Sequence, residues 1–122
     1  TERNIDGALT GLRYACFVDV NGARPALVLM RDRFRARTGE AVTAEIVLAY
    51  DAVMLLATAA REAGSQRQAI RDYLASLGTT RASYRGVTGD IAFDEHGDPR
   101  PSYCLAEVTA QGARVIQSRG TQ

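Results

Sequence analysis

The feature that most constrains the fold is a long apolar segment, Ala44 to Gly64, in which Asp51 is the only charge between residues 46 and 60. Thr43 suits an N-cap and Gly64 suits a C-terminal stop, so a helix is predicted over 43–63. Its apolar residues cover nearly every side, which is typical of a helix buried on several faces. A carboxylate in such a helix needs a partner, and for Asp51 we expect a structural one rather than a catalytic role.

A first helix is predicted over 24–38, because Pro25 sits near its start and Gly39 follows its end. Its arginines alternate around the helix instead of lining one face, and acids lie nearby. The net charge of the chain is only +1. A nucleic-acid surface is therefore not expected.

A third helix is predicted over 66–77, where Ser65 and Gln68 match a capping box and Gly78 ends the element. Its core stripe is expected to comprise Ala69, Ile70, Tyr73, Leu74 and Leu77.

The rest of the chain favours strands and turns. We expect a strand within Ile5 to Val20, centred on Tyr14 to Val18, short extended pieces at Val87 and at Ile91 to Phe93, a turn at Glu95 to Asp98, and a hairpin with arms 102–109 and 113–117.

No catalytic, cofactor or metal site is expected. No histidine accompanies a nucleophile, and neither a metal-ligand spacing nor a phosphate-binding glycine loop is present. Asp94, Glu95, His96 and Asp98 crowd one turn, but calcium-loop spacing is not met, so a solvated turn is predicted. Asp51 also divides the only apolar stretch that approaches the length of a membrane span.

Three patterns occur in the order found in a known receptor family. Tyr-Asp-Ala-Val lies at Tyr50 to Val53, and Gly-x-x-Gly-x-x-x-Phe-Asp-x-x-Gly-Asp lies at Gly86 to Asp98. The segment Arg33 to Gly39 matches a helix end of that family, with Thr38 where an aromatic residue is common. Over about residues 12 to 117 the chain resembles the C-terminal part of periplasmic solute-binding proteins of the branched-chain-amino-acid (Leu/Ile/Val) type, the receptors of ABC importers.

The resemblance implies an α/β chain with a partial type I periplasmic-binding fold: three helices, an N-terminal strand and C-terminal strands. Residues 1–122 would form a single partial domain of a two-lobe receptor, with 1–18 and 105–122 in one lobe and 19–104 in the other. Such a receptor is not an enzyme and acts by closing its lobes on a ligand. The chain begins at Thr1 without a signal-peptide pattern, so an export signal is expected on a missing part of the parent.

The implied partners are a small molecule such as an amino acid, bound by the full-length parent, and the membrane permease of an ABC importer. The implied location is periplasmic or extracellular. Four residues are expected to line the ligand cleft: Tyr14, Phe17, Thr43 and Glu45. For Glu45 the alternative is a helix-stabilising acid, since carboxylates are favoured at helix N-termini.

The resemblance brings Cys16 and Cys104 near the hinge, where a disulfide or two buried thiols remain the alternatives. Apolar surface left uncovered in a partial fold predicts a homo-oligomer for the isolated chain. A self-associating interaction or assembly module and a regulatory sensor with the same fold are the alternative functions.

Overall fold

The computed structural model describes residues 7–100 and 103–119. The elements in chain order are β1 (Arg13–Cys16), α1 (Pro25–Thr38), α2 (Ala44–Ala63), α3 (Arg67–Ser76), β2 (Tyr84–Arg85), β3 (Asp90–Ile91), β4 (Tyr103–Thr109) and β5 (Gly112–Arg119). The predicted α/β class is confirmed, and each helix lies within one residue of its predicted bounds. Internal contacts divide the described chain into unit 1, residues 7–19 and 103–119, and unit 2, residues 20–100.

Unit 1 is a three-stranded antiparallel sheet in the order β1-β4-β5. Alternate residues of the central strand β4 are buried, namely Cys104, Ala106 and Val108, as expected for a strand with one covered face. The β4–β5 pair forms the predicted C-terminal hairpin. Ser102, the predicted first residue of that hairpin, and Ile5, the predicted start of the N-terminal strand, lie outside the described residues.

In unit 2, local signals set the ends of α1 and α2. Pro25 occupies the first turn of α1, and Gly39 ends the helix in the left-handed region at φ 76°. Thr43 precedes α2 with an extended backbone, and Gly64 ends that helix at φ 92°. These positions confirm the predicted starts and stops.

The core of unit 2 is built where α2 packs on α3. Leu55 and Ala59 of α2 meet Tyr73 and Leu77 of the α3 segment. Around this cluster lie the partly buried residues Ala63, Ile70, Leu74, Tyr84, Ile91 and Phe93. The predicted core stripe of α3 is thereby confirmed for its larger side chains.

In the described chain α2 is covered on one side only, as expected for a partial fold that leaves apolar surface uncovered. Its buried residues form one stripe, at i, i+4, i+8 and i+12: Val47, Asp51, Leu55 and Ala59. Large apolar side chains elsewhere on α2 are exposed, namely Leu48, Tyr50, Val53, Met54 and Leu56. The described residues therefore cover one side of this helix, and its other side is an exposed apolar surface.

Two local predictions are also corrected. The capping box does not form, because Gln66 is the N-cap of α3 and the Gln68 side chain donates to the Asp72 carboxylate at 3.2 Å instead. Val87 is not in a strand, because the β2–β3 hairpin pairs Tyr84 with Ile91 and leaves Val87 in its turn. For Gln68, a side chain four residues away outcompeted the predicted backbone partner.

Candidate functional site

The most highly organised polar group of unit 2 is the carboxylate of Asp51, on the buried stripe of α2 and only 2% exposed. The Val87 N–H donates to its Oδ1 at 2.8 Å. The Thr88 N–H donates to Oδ2 at 2.8 Å, and the Thr88 hydroxyl donates to the same oxygen at 2.5 Å. Three donors from one turn therefore offset the desolvation of a buried charge.

This turn is shaped for the carboxylate by two glycines. The Gly86 N–H donates to the Gly89 carbonyl at 2.8 Å, which closes the turn. A Cβ on Gly86 would overlap the Asp51 carboxylate, lying 2.7 Å from its Cγ. Gly89 has φ +146°, a conformation that side chains rarely adopt, and the Arg24 guanidinium lies 3.5 Å from where its Cβ would be. We call Asp51 with residues 86–89 the aspartate latch.

The latch joins two sequence patterns that sequence analysis treated separately, Tyr50 to Val53 and the glycine pair Gly86 and Gly89. The available signal was a lone charge in an apolar helix together with two closely spaced glycines, but their separation of more than thirty residues hid the connection. The carboxylate oxygens are occupied by backbone and hydroxyl donors, so the group acts as a structural clamp. The structural role expected for Asp51 is the one observed.

Two of the four predicted cleft residues lie in unit 1. Tyr14 lies in β1 opposite Ala106 and is half-buried. Phe17 follows that strand and is 70% exposed, with its ring centroid 5.8 Å from that of Tyr103, which is 50% exposed. Unit 1 thus presents an exposed aromatic pair, of which Tyr103 was not predicted.

The other two predicted cleft residues lie at the start of α2 in unit 2. Thr43 is the N-cap and Glu45 lies in the first turn. The Thr43 hydroxyl, followed by the backbone N–H of Glu45, holds the pKa of the Glu45 carboxyl below its ordinary value. A charged carboxylate in this position interacts favourably with the N-terminal helix dipole. The alternative interpretation of Glu45, a helix-stabilising acid, has this direct support.

Cys16 and Cys104 form a disulfide in unit 1. They face each other in the register of β1 and β4, and their Cα atoms are 4.8 Å apart. This separation lies within the range for disulfides.

The acidic turn of residues 94–98 is organised by its own backbone. The Asp94 carboxylate accepts the N–H groups of His96 at 2.9 Å and Asp98 at 3.0 Å. The Asp98 N–H, and then that of His96, lower the pKa of Asp94. Across residues 7–100 and 103–119, no cluster of His, Cys, Asp or Glu is arranged to hold a metal ion. In the same ranges, no helix is both long and apolar enough to cross a membrane.

Comparison with known families shows the family to which the chain belongs. The family described as receptor family ligand binding region matches residues 21–111. The chain belongs to this family. Comparison with curated proteins gives no significant match.

Solved structures of this kind share the fold. A leucine-binding protein, LivK, from Thermotoga maritima is 25% identical, with a TM-score of 0.76 over 91% of this chain and 31% of its own. A putative branched-chain amino acid ABC transporter from Rhodospirillum rubrum is 28% identical, with a TM-score of 0.70 over 89% of this chain and 31% of its own. A solute-binding protein from R. palustris in complex with benzoate, 15% identical, has the same fold, with a TM-score of 0.76 over 97% of this chain and 33% of its own.

The predicted resemblance to branched-chain-amino-acid binding proteins is confirmed by these matches. The chain spans about one third of the length of these structures. Its structural neighbours are named as binding proteins and transporters rather than as enzymes. The fold of this chain thus matches part of the fold of these binding proteins.

Proposed function

We propose that this chain contributes the C-terminal part of an extracytoplasmic receptor that delivers an amino acid or a similar small metabolite to an ABC importer permease, without catalysis. The observation that carries the proposal is the fold match to a leucine-binding protein over 91% of this chain at 25% identity. The family match over residues 21–111 supports it independently. A periplasmic or extracellular location follows from the same proposal, and the Cys16–Cys104 disulfide suits an oxidising compartment.

We further propose that units 1 and 2 belong to different lobes of the receptor. The division of internal contacts after residues 19 and 100 supports this proposal. The lobe boundaries expected from the resemblance, after residues 18 and 104, lie close to these points. Each unit alone would be an incomplete lobe, which agrees with the one-third coverage of the solved structures.

The cleft wall that we favour is the aromatic pair of Phe17 and Tyr103. Large aromatic side chains that remain exposed are a common mark of binding surfaces. Their ring centroids lie 5.8 Å apart, with the ring planes tilted by 49°. Together the two rings offer an apolar surface to an aliphatic or aromatic ligand. Glu45 is a weaker candidate because its local hydrogen bonds already account for its position.

A chimera tests the proposal. In the Thermotoga maritima leucine-binding protein, the segment that superposes on this chain would be replaced by this chain. We expect a monomer whose melting temperature rises with one member of a panel of amino acids, because a ligand that binds only the folded state stabilises it. The parent protein with leucine is the positive control.

Variants of the chimera then test the cleft wall. Phe17→Ala should weaken binding by about fivefold or more, as expected for an aromatic contact at a binding surface. Leu29→Ala is the matched control, since Leu29 is an exposed apolar residue of α1 (51%) outside the predicted wall, and it should leave affinity unchanged. A cooperatively folded chimera that responds to no amino acid would contradict the proposal.

A second candidate function, self-association, is favoured by the exposed apolar side of α2. We propose that the isolated chain forms a homo-oligomer through this side. Val53 is 65% exposed and Leu56 48%, and burying both against a second copy would remove apolar surface from water. Light scattering coupled to size-exclusion chromatography tests this, and a monomer at all concentrations would contradict it.

A further inference from the structure

The Cys16–Cys104 disulfide occupies a special place in the chain. Each cysteine lies three or four residues from the point at which the chain passes between units, after residue 19 and after residue 100. The β1–β4 ladder has four residue pairs. Cys16 pairs with Cys104 at the end nearest in sequence to those points, and Arg13 pairs with Glu107 at the opposite end. The bond therefore lies at the end of the ladder from which both strands leave unit 1.

Without the bond, β1 is weakly held. It is a four-residue edge strand with alternately exposed and half-buried side chains. Its side-chain ion pair with β4, from Arg13 Nε to Glu107 Oε1 at 3.2 Å, involves an Arg13 side chain that is 63% exposed. Such pairs contribute little. Backbone bonds that extend the ladder, from the Gly11 N–H to the Val108 carbonyl and from the Val108 N–H to the Leu12 carbonyl, lie at the far end.

The whole of unit 2 lies inside the covalent loop that the disulfide closes, since residues 20–100 fall between cysteines 88 positions apart. If unit 2 unfolds in the absence of the bond, β1 and β4 are joined only by a long flexible chain. The entropy of closing such a loop then opposes their pairing. With the bond in place, that loop is already closed in every state of unit 2.

We propose that the Cys16–Cys104 disulfide is a clasp that uncouples the two units, so that the β1–β4 pairing of unit 1 survives the opening of unit 2. In the oxidised protein the sheet of unit 1 stays folded at urea concentrations at which unit 2 is unfolded. In the reduced protein both are lost together. This inference is independent of the receptor function proposed above, because it concerns the stability of the units and not a ligand.

Hydrogen exchange read out by peptide mass spectrometry tests the clasp on the full chain in a urea series. In the oxidised protein, we expect β1 and β4 amides to stay protected at urea concentrations at which α2 and α3 amides exchange. In C16S/C104S, β1 and β4 amides should exchange together with those of α2 and α3, faster than in the oxidised protein by a factor of at least about 100. The same order of exchange in both proteins would overturn the proposal, as would loss of the sheet together with unit 2 in the oxidised chain.

Two controls separate the clasp from other effects. A dithiol reductant added to folded wild-type protein cleaves the S–S bond, leaves two thiols and is itself oxidised to a cyclic disulfide, and it should reproduce the variant. If C16S/C104S does not fold, the reduced wild-type protein takes its place in the comparison. The reductant should change nothing in C16S/C104S. R13Q removes the Arg13–Glu107 ion pair at the far end of the same ladder and keeps the Arg114–Glu107 pair, and in this variant the sheet should still stay folded after unit 2 unfolds.

Discussion

The aspartate latch makes a quantitative prediction for Asp51→Ala. This change leaves three donors of one turn without their acceptor: two backbone N–H groups and the Thr88 hydroxyl. Each buried unsatisfied donor costs about 1–3 kcal/mol. Val87 is 8% exposed and so carries the full penalty, whereas Thr88 is half-buried and water can reach part of it. We therefore expect a loss of about 2–4 kcal/mol in the free energy of unfolding.

Asp51→Asn is the more discriminating variant because it keeps the shape of the side chain. An amide has one acceptor oxygen, so it satisfies one N–H and directs its own NH2 group towards the other. We expect a loss of about 1–3 kcal/mol, since a charge-assisted pair is replaced by a donor facing a donor. Urea unfolding followed by circular dichroism measures both variants.

The matched control is Asp32→Asn, which makes the same chemical change at an exposed carboxylate on α1. Surface changes of this kind are usually within about 0.5 kcal/mol. If Asp51→Asn were as stable as wild type, or if Asp51→Ala cost no more than the control, the latch would not contribute to stability and the reasoning would be refuted.

Further tests address the latch glycine, the core tyrosine and the apolar side of α2. Gly86→Ala should destabilise the chain because its Cβ would overlap the Asp51 carboxylate. In an Asp51→Ala background the same substitution should cost much less free energy of unfolding. Equal costs in both backgrounds, measured by urea unfolding, would contradict the contact. Burial of Tyr73, followed by its hydrogen bond to Glu62 at 3.0 Å, raises the pKa of the phenol, so the folded state favours the neutral form. That contribution is complete below the unfolded pKa of about 10 and is lost as pH rises through the raised folded value. The unfolding free energy should accordingly fall above pH 10 in wild type and less so in Tyr73→Phe, and identical pH profiles would refute this. Val53→Ser should shift any oligomer of the isolated chain towards monomer in light scattering, whereas Arg67→Gln on exposed α3 surface should not.

The candidate site was only partly readable from the sequence. Phe17 could be proposed as a cleft residue from the family resemblance, but its partner Tyr103 lies 86 positions away and became visible only through strand register. From the sequence alone, the two cysteines could form a disulfide or remain free thiols. The antiparallel register of β1 and β4 brings them opposite each other in the structure.

Local chemistry determined the helix ends. Pro25 and Gly39 bound α1, and Gly64 ends α2, because each acts through its own backbone dihedral angles or those of its neighbours. Such restrictions act over a few residues and can be read from the chain by itself. The capping box at Ser65 failed because a short-range pattern offers alternatives of similar energy, and Gln68 pairs with Asp72 instead.

Tertiary structure decided what each buried group contacts. The apolar composition of α2 indicated burial but not which side would be covered, because periodicity cannot identify the neighbouring elements. Likewise, Asp51 was recognisable from sequence as a charge in need of partners, yet its donors at Val87 and Thr88 come from a turn more than thirty residues away. A desolvated carboxylate demands hydrogen bonds wherever it lies, and only the packing of the chain determines which residues supply them.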